Sequence, residues 1–349
     1  MGLVRLCVFG CLISVSMLAG AVQADEVNLK LLNWEEYMDP ELLAEFKAES
    51  GVTVTEVFYE SDEERDELLK SSNGEGYDLI LVSGLMMESY VRNGWLTALP
   101  SAIKPNLTTI DSRWWKAFPA AELYAVPYFW GTLGIAYRSD LVTKPISTWK
   151  EFFNPTKELQ GRLSVLNSTR EATAMALKAL GYSLNTRKGQ AYREAMALVE
   201  RQAPYVANYG VLDLNESSKL VTGDVSAAMI YSGDALMLQD LNENIEYVLP
   251  EEGGNIWVDY LSVSSRSVHK KAAWSFIEFI NRPENAARQA DFVYYASPNK
   301  GATALMSEEF LSNTTINPSE AALAKSEFFQ KMLPRRMKEL DQAFEALIN

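Results

Sequence analysis

From residue 27 onward, short runs rich in Val, Ile and Leu alternate with stretches of helical periodicity, and this restricts the chain to an α/β fold. Strands are expected at 27–32, 52–58, 77–82, 131–137, 162–166, 227–231, 245–249 and 261–264. Helices are expected between them, at 40–49, 63–71, 148–153, 170–180, 191–201, 272–280, 283–289 and 335–347. Asp39-Pro40 is a cap and first turn, and Gly51 is a stop for the first helix. Helical crossovers imply parallel strands, here in two sheets. Ligands of such sheets gather where strands end and loops converge. Residues 33–37 and Ser83 fall at that edge.

The first 24 residues read as a secretory signal: one cation at Arg5, an apolar run over 6–21, and the small-residue box Val22-Gln23-Ala24. Both cysteines, Cys7 and Cys11, lie inside it. The remaining chain therefore has no disulfide, thiol nucleophile or thiolate metal site, and a periplasmic location is expected. Neither a metal nor a cofactor is expected. The net charge of −14 becomes −15 when Arg5 leaves with the signal, which disfavours nucleic acid as a partner and favours cationic ligands. The single histidine, His269, precedes Lys270-Lys271 near a helix start; no P-loop, HExxH or nucleophile elbow is present, and no enzyme is expected.

Two short stretches carry chemistry. In Asn33-Trp34-Glu35-Glu36-Tyr37 and in Trp257-Val258-Asp259, a carboxylate stands one or two residues from aromatic rings. Rings stack on methylenes and attract a cation at about 0.5–2 kcal/mol each. A charged hydrogen bond from an ammonium to a carboxylate adds about 1.5–3 kcal/mol. Together they suit an alkyl chain carrying ammonium groups.

These stretches, with Tyr59-Glu60-Ser61-Asp62-Glu63, Tyr77-Asp78-Leu79-Ile80, Val126-Pro127-Tyr128-Phe129-Trp130-Gly131, Thr169-Arg170-Glu171, Met229-Ile230-Tyr231-Ser232-Gly233-Asp234, Pro250-Glu251-Glu252-Gly253-Gly254 and Tyr295-Ala296-Ser297-Pro298-Asn299, occur in the order found in periplasmic polyamine-binding proteins. The chain resembles that family, the spermidine/putrescine receptors, including a norspermidine-sensing branch in vibrios. The resemblance implies a bilobed, clamp-like type II periplasmic binding protein of class α/β, joined by crossing strands. Lobe one would span 25–135 plus 258–305, and lobe two 136–257 plus 306–349.

It further implies a monomer that closes on a polyamine (spermidine, norspermidine or putrescine) and presents it to an inner-membrane permease complex. Alternatively it would dock on a membrane receptor with a cyclic-di-GMP domain and control biofilm formation, or bind another cationic solute. Trp34, Tyr37, Trp257, Tyr231 and Tyr295 would be the rings. Glu36, Glu171, Asp234 and Asp259 would take ammoniums, and Ser83 would offer a hydroxyl. Plainer roles compete: Trp34 and Tyr37 as helix staples, Glu36 as a solvated loop charge, Asp234 as a turn residue, Trp257-Asp259 as a strand edge. Glu171 could simply close the capping box begun by Ser168. The spermidine branch has Asp at Ser168 and an aromatic at Leu85, and its C-terminal polar contact has no clean match around Phe328, Phe329 and Gln330. Asp234 is shared with the putrescine-preferring branch.

Overall fold

The structure, a computed structural model, describes residues 26–348; the expected signal and both cysteines lie outside the described residues. Ten strands among the described residues form one connected sheet: β1 Asn28–Asn33, β2 Thr53–Phe58, β3 Leu79–Ser83, β4 Ala125–Arg138, β5 Leu163–Val165, β6 Val206–Tyr209, β7 Ala227–Tyr231, β8 Ile245–Val248, β9 Asn255–Val263 and β10 Glu327–Phe328. Their order is β2-β1-β3-β9-β4-β7-β5-β6, with β10 on β9 and β8 on β4.

The α/β class stands, and two expectations about the strands need correction. Parallel pairing holds at the flanks, where β1 lies between β2 and β3, and β5 between β6 and β7. It fails in the middle. There β9 runs antiparallel to β3 and β4, and β4 antiparallel to β7 and β8. The antiparallel pair β4–β9 also turns the two expected sheets into one path.

Both strands are longer than their apolar runs suggested. All fourteen residues of β4 are buried because the strand serves two cores. Ala125, Val126, Tyr128, Phe129 and Trp130 pack with β1, β3 and β9, while Leu133, Ile135 and Tyr137 pack with Trp149, Phe152, Leu163 and Met175. A third cluster joins Ala136 to Ala228, Ile230 and Leu238. Residues 125–130 escaped a strand reading because Pro127 interrupts them, and the pairing register does shift between Pro127 and Phe129.

Local chemistry explains the helix starts. Asp39 caps the helix Pro40–Ser50 by accepting from the Glu41 N–H, and Gly51, at φ 72°, closes it with a bond to the Lys47 carbonyl. Ser61 caps Asp62–Ser71 by accepting from the Glu64 N–H. Thr148 and Glu151 form a complete capping box on Trp149–Phe153.

Candidate functional site

The candidate site gathers residues from the loop after β1, the middle of β9, the N-terminal turns of the helices that follow β5 and β7, and Tyr295 just beyond the helix Pro283–Val293. Side chains two apart on a strand share a face, so Trp257 and Asp259 point the same way from β9. Asp259 is no strand edge, since β9 is paired on both sides there, whereas Trp257 pairs with Gly131 of β4 on one side and falls between the β10 and β3 pairings on the other. Asp259 lies opposite Phe129 of β4 and Ser83 of β3.

Tyr37 is buried beneath them. Its ring meets Tyr128, Phe129 and Tyr295 edge-on at 5.6, 5.8 and 5.9 Å. Its carbonyl accepts from Tyr128 Oη at 3.1 Å and Gln289 Nε2 at 3.3 Å, which fixes the loop, and its own hydroxyl donates to Asp259 Oδ2 at 3.4 Å. Tyr295 stands edge-on to Trp257 at 4.8 Å and donates to Asp234 Oδ1 at 2.6 Å. Tyr231 closes the row, 6.1 Å from Trp257. Tyr37, Tyr295, Trp257 and Tyr231 thus form one aromatic row, with Asp259 held by Tyr37 and Asp234 by Tyr295. The indole Nε1 of Trp257 is buried without a partner among the described residues, a donor held in reserve.

Two glycines make room for these rings. A Cβ on Gly131 would lie 2.6 Å from the Trp257 indole, and one on Gly233 would lie 2.6 Å from the Tyr295 ring. Alanine at either position is expected to cost about 1–3 kcal/mol of stability through overpacking. It should also alter the near-ultraviolet circular dichroism of the Trp257–Tyr295 pair. An unchanged spectrum and melting temperature would contradict this role.

Burial dominates the electrostatics. Loss of solvent, reinforced by repulsion from Asp62, pushes the Asp259 carboxyl up to about 7 against the opposing pull of Arg65 and the Tyr37 bond. Burial raises Asp234 to about 6, although Tyr295 and its own backbone N–H oppose this. Glu171 is raised by burial too, against Arg170 and Ser168. Glu171 and Asp234 occupy the first turns of Thr169–Ala179 and Ser232–Leu241, where the helix dipole favours a negative charge. Burial still wins.

The capping-box alternative for Glu171 does not hold. Ser168 makes no side-chain cap bond; its hydroxyl donates to the Glu171 carboxylate instead. Trp34 is half-buried and packs on Tyr59 at 4.4 Å, at the margin of the row. Ser83 Oγ accepts from Arg65 Nη2 at 3.3 Å and donates to Asp62 Oδ2 at 3.1 Å, so its proton is already committed. Glu36 stands apart: exposed, at φ 55°, and without a hydrogen bond or ion pair among the described residues. Leu85 and Phe329 lie with the second core.

The sequence analysis gave Tyr59 and Asp62 no site role beyond their place in a family stretch, and it did not single out Arg65. Arg65 is completely buried, with Tyr59 and Tyr90 rings 5.2 and 5.7 Å from its guanidinium carbon. A signal existed: Arg65 occupies the apolar stripe of its helix, four residues before buried Leu69, where a cation needs a partner. Gly131 and Gly233 carried no comparable signal, because nothing local tells which ring will arrive.

Carboxylates with raised proton affinity, walled by rings, suit a cationic ligand. The sequence profile of bacterial extracellular solute-binding proteins matches residues 41–318. The spermidine/putrescine-binding periplasmic protein of Escherichia coli is 30% identical over 311 residues, 88% of each chain. The norspermidine sensor of Vibrio cholerae is 30% identical over 325 residues, 90% of this chain and 88% of that one. Among solved structures, the substrate-binding protein of a spermidine/putrescine ABC transporter from Streptococcus pneumoniae superposes with a TM-score of 0.79 at 26% identity, covering 93% of this chain and all of that one.

Proposed function

Because the chain belongs to the family of bacterial extracellular solute-binding proteins, we propose that it captures a polyamine (spermidine, norspermidine or putrescine) between two lobes in the periplasm and presents it to a membrane-bound transporter. It performs no chemistry on the ligand. The observation that carries this reading is the set Asp259, Asp234 and Glu171, three acids with raised proton affinity around Tyr231, Trp257 and Tyr295. Uncompensated, such acids destabilise the fold; ammonium groups relieve them while the rings hold the methylenes.

The lobes in this reading are 25–135 with 258–305 and 136–257 with 306–349, and closure about β4 and β9 shuts the ligand in. Trp34, Glu36 and Ser83 line its margin, and Glu36 moves inward on closure. The protein acts as a monomer and has no nucleic-acid partner.

A second reading concerns output. The norspermidine sensor is as similar to this chain as the transport receptor is, at 30% identity. In that case the loaded protein docks on a membrane receptor rather than a permease.

Calorimetric titration with putrescine, norspermidine, spermidine and spermine, on protein stripped by unfolding and refolding, tests the ligand class. A Kd near micromolar, about −8 kcal/mol, is expected for at least one. Silence across the panel would overturn the reading. Co-purification from detergent with a permease–ATPase complex, or with a cyclic-di-GMP receptor, separates the two outputs.

A further inference from the structure

Asp62 opens the helix Asp62–Ser71, one turn before Arg65. The two form an ion pair at 2.8 Å whose ends differ sharply: the Arg65 side chain is 0% exposed and that of Asp62 30%. Protein caps the guanidinium on its other sides. Arg65 Nε donates to Tyr90 Oη at 2.8 Å, Nη1 to Tyr59 Oη at 3.2 Å and Nη2 to Ser83 Oγ at 3.3 Å. The pair is therefore a fixed dipole with its cation sealed inside and its anion outward.

Ser83 grips the same carboxylate from the strand side and stands opposite Asp259 in the β3–β9 register, which places Asp62 beside the Asp259 wall. The field of Asp62 reaches both Asp259 and Glu171 and raises the carboxyl of each. At Asp259 its repulsion outweighs the pull of Arg65. Tyr231 feels Glu171, Asp62, Asp234 and Asp259 together. Asp62 thus stands beside Asp259 through Ser83, near enough to Glu171 for its charge to be felt there. Each carboxylate oxygen has room for more than one donor, so Asp62 can hold Arg65 and Ser83 and still accept from a ligand.

We infer that Asp62 is a further anionic contact of the site and selects ligands with an internal ammonium, triamines over diamines, with Arg65 as its positioning residue. This rests on the polyamine reading above. A diamine satisfies the acids at its two ends. The secondary ammonium of a triamine lies against the wall, where only a negative group there makes its desolvation favourable.

The test is titration of wild type and Asp62→Asn with putrescine, norspermidine and spermidine. Asparagine should weaken the triamines about 10- to 30-fold and putrescine less than about 3-fold. An equal loss for all three, or no loss, overturns the inference and leaves polyamine binding intact. A wild type silent toward every amine overturns the polyamine reading itself. Should Asp62→Asn fail to fold, its buried Arg65 left unpaired, the double variant Asp62→Asn/Arg65→Met removes both charges. It is expected to show the same selective loss, and a wild-type ratio of triamine to diamine affinity in it overturns the inference.

Discussion

Asp259→Asn is expected to weaken polyamine binding by about 10²- to 10³-fold, because it removes the central anion and leaves a buried ammonium without a charge partner. Asparagine keeps the shape and can still accept from Tyr37, so the loss isolates charge from packing. The same variant should stabilise the protein alone. The Asp259 carboxyl is raised to about 7, so between the unfolded value near 3.8 and that point the folded state holds a proton which the unfolded state has released. Stability from this group is present at low pH and lost as pH rises through that window. At neutral pH asparagine avoids that loss, a gain of about 1–3 kcal/mol. Binding lost together with a raised melting temperature would mark Asp259 as a group kept for the ligand at the fold's expense. Retained micromolar affinity, read by calorimetry, would remove Asp259 from the site.

Affinity is expected to fall steeply with acid, by about 10³-fold between pH 8 and pH 5. The sign follows from the same two carboxyls. In the protein alone Asp259 takes up a proton near 7 and Asp234 near 6. An ammonium can pair only with the ionised form, so at pH 5 binding must expel about two protons, costing roughly a hundredfold for the first and tenfold for the second. The raised carboxyl of Glu171 adds in the same direction. These groups share one site, and the titration reports the set rather than each member. The two primary ammoniums of putrescine titrate near 10, so with this diamine the ligand's own charge does not change in this range, and putrescine is the ligand for this titration. Calorimetry in buffers of different ionisation enthalpy counts the protons released. A flat affinity from pH 8 to pH 5, with no proton release, would show that the carboxylates are not what the ligand meets.

Trp257, Asp259 and Tyr37 stood out as a candidate binding chemistry because rings and acids lie close together in sequence. Their spatial company did not. Trp257 stands within reach of Tyr295 and Tyr231 through β-pairing and a glycine on a neighbouring strand, contacts separated by tens of residues. The reading of β9 stopped short at 261 for a physical reason: Asp259 and a half-buried Trp257 interrupt the apolar run that marks a buried strand. Arg65 and Ser83 show the reverse limit. Ser83 was placed at the correct strand end, yet its proton is spent on Asp62, a matter of side-chain reach that no local pattern encodes.

Element type and the α/β class followed from sequence alone, because periodicity, caps and turn residues act within a few positions. The expectation of a cationic ligand with an alkyl chain also came from the sequence, out of the acidic charge and two short motifs. Tertiary structure alone decided that β4 and β9 run antiparallel and that β4 serves both cores, and that burial rather than the helix dipole raises the proton affinity of Asp234 and Glu171. Desolvation depends on everything that surrounds a group, and those surroundings come from segments up to two hundred residues away.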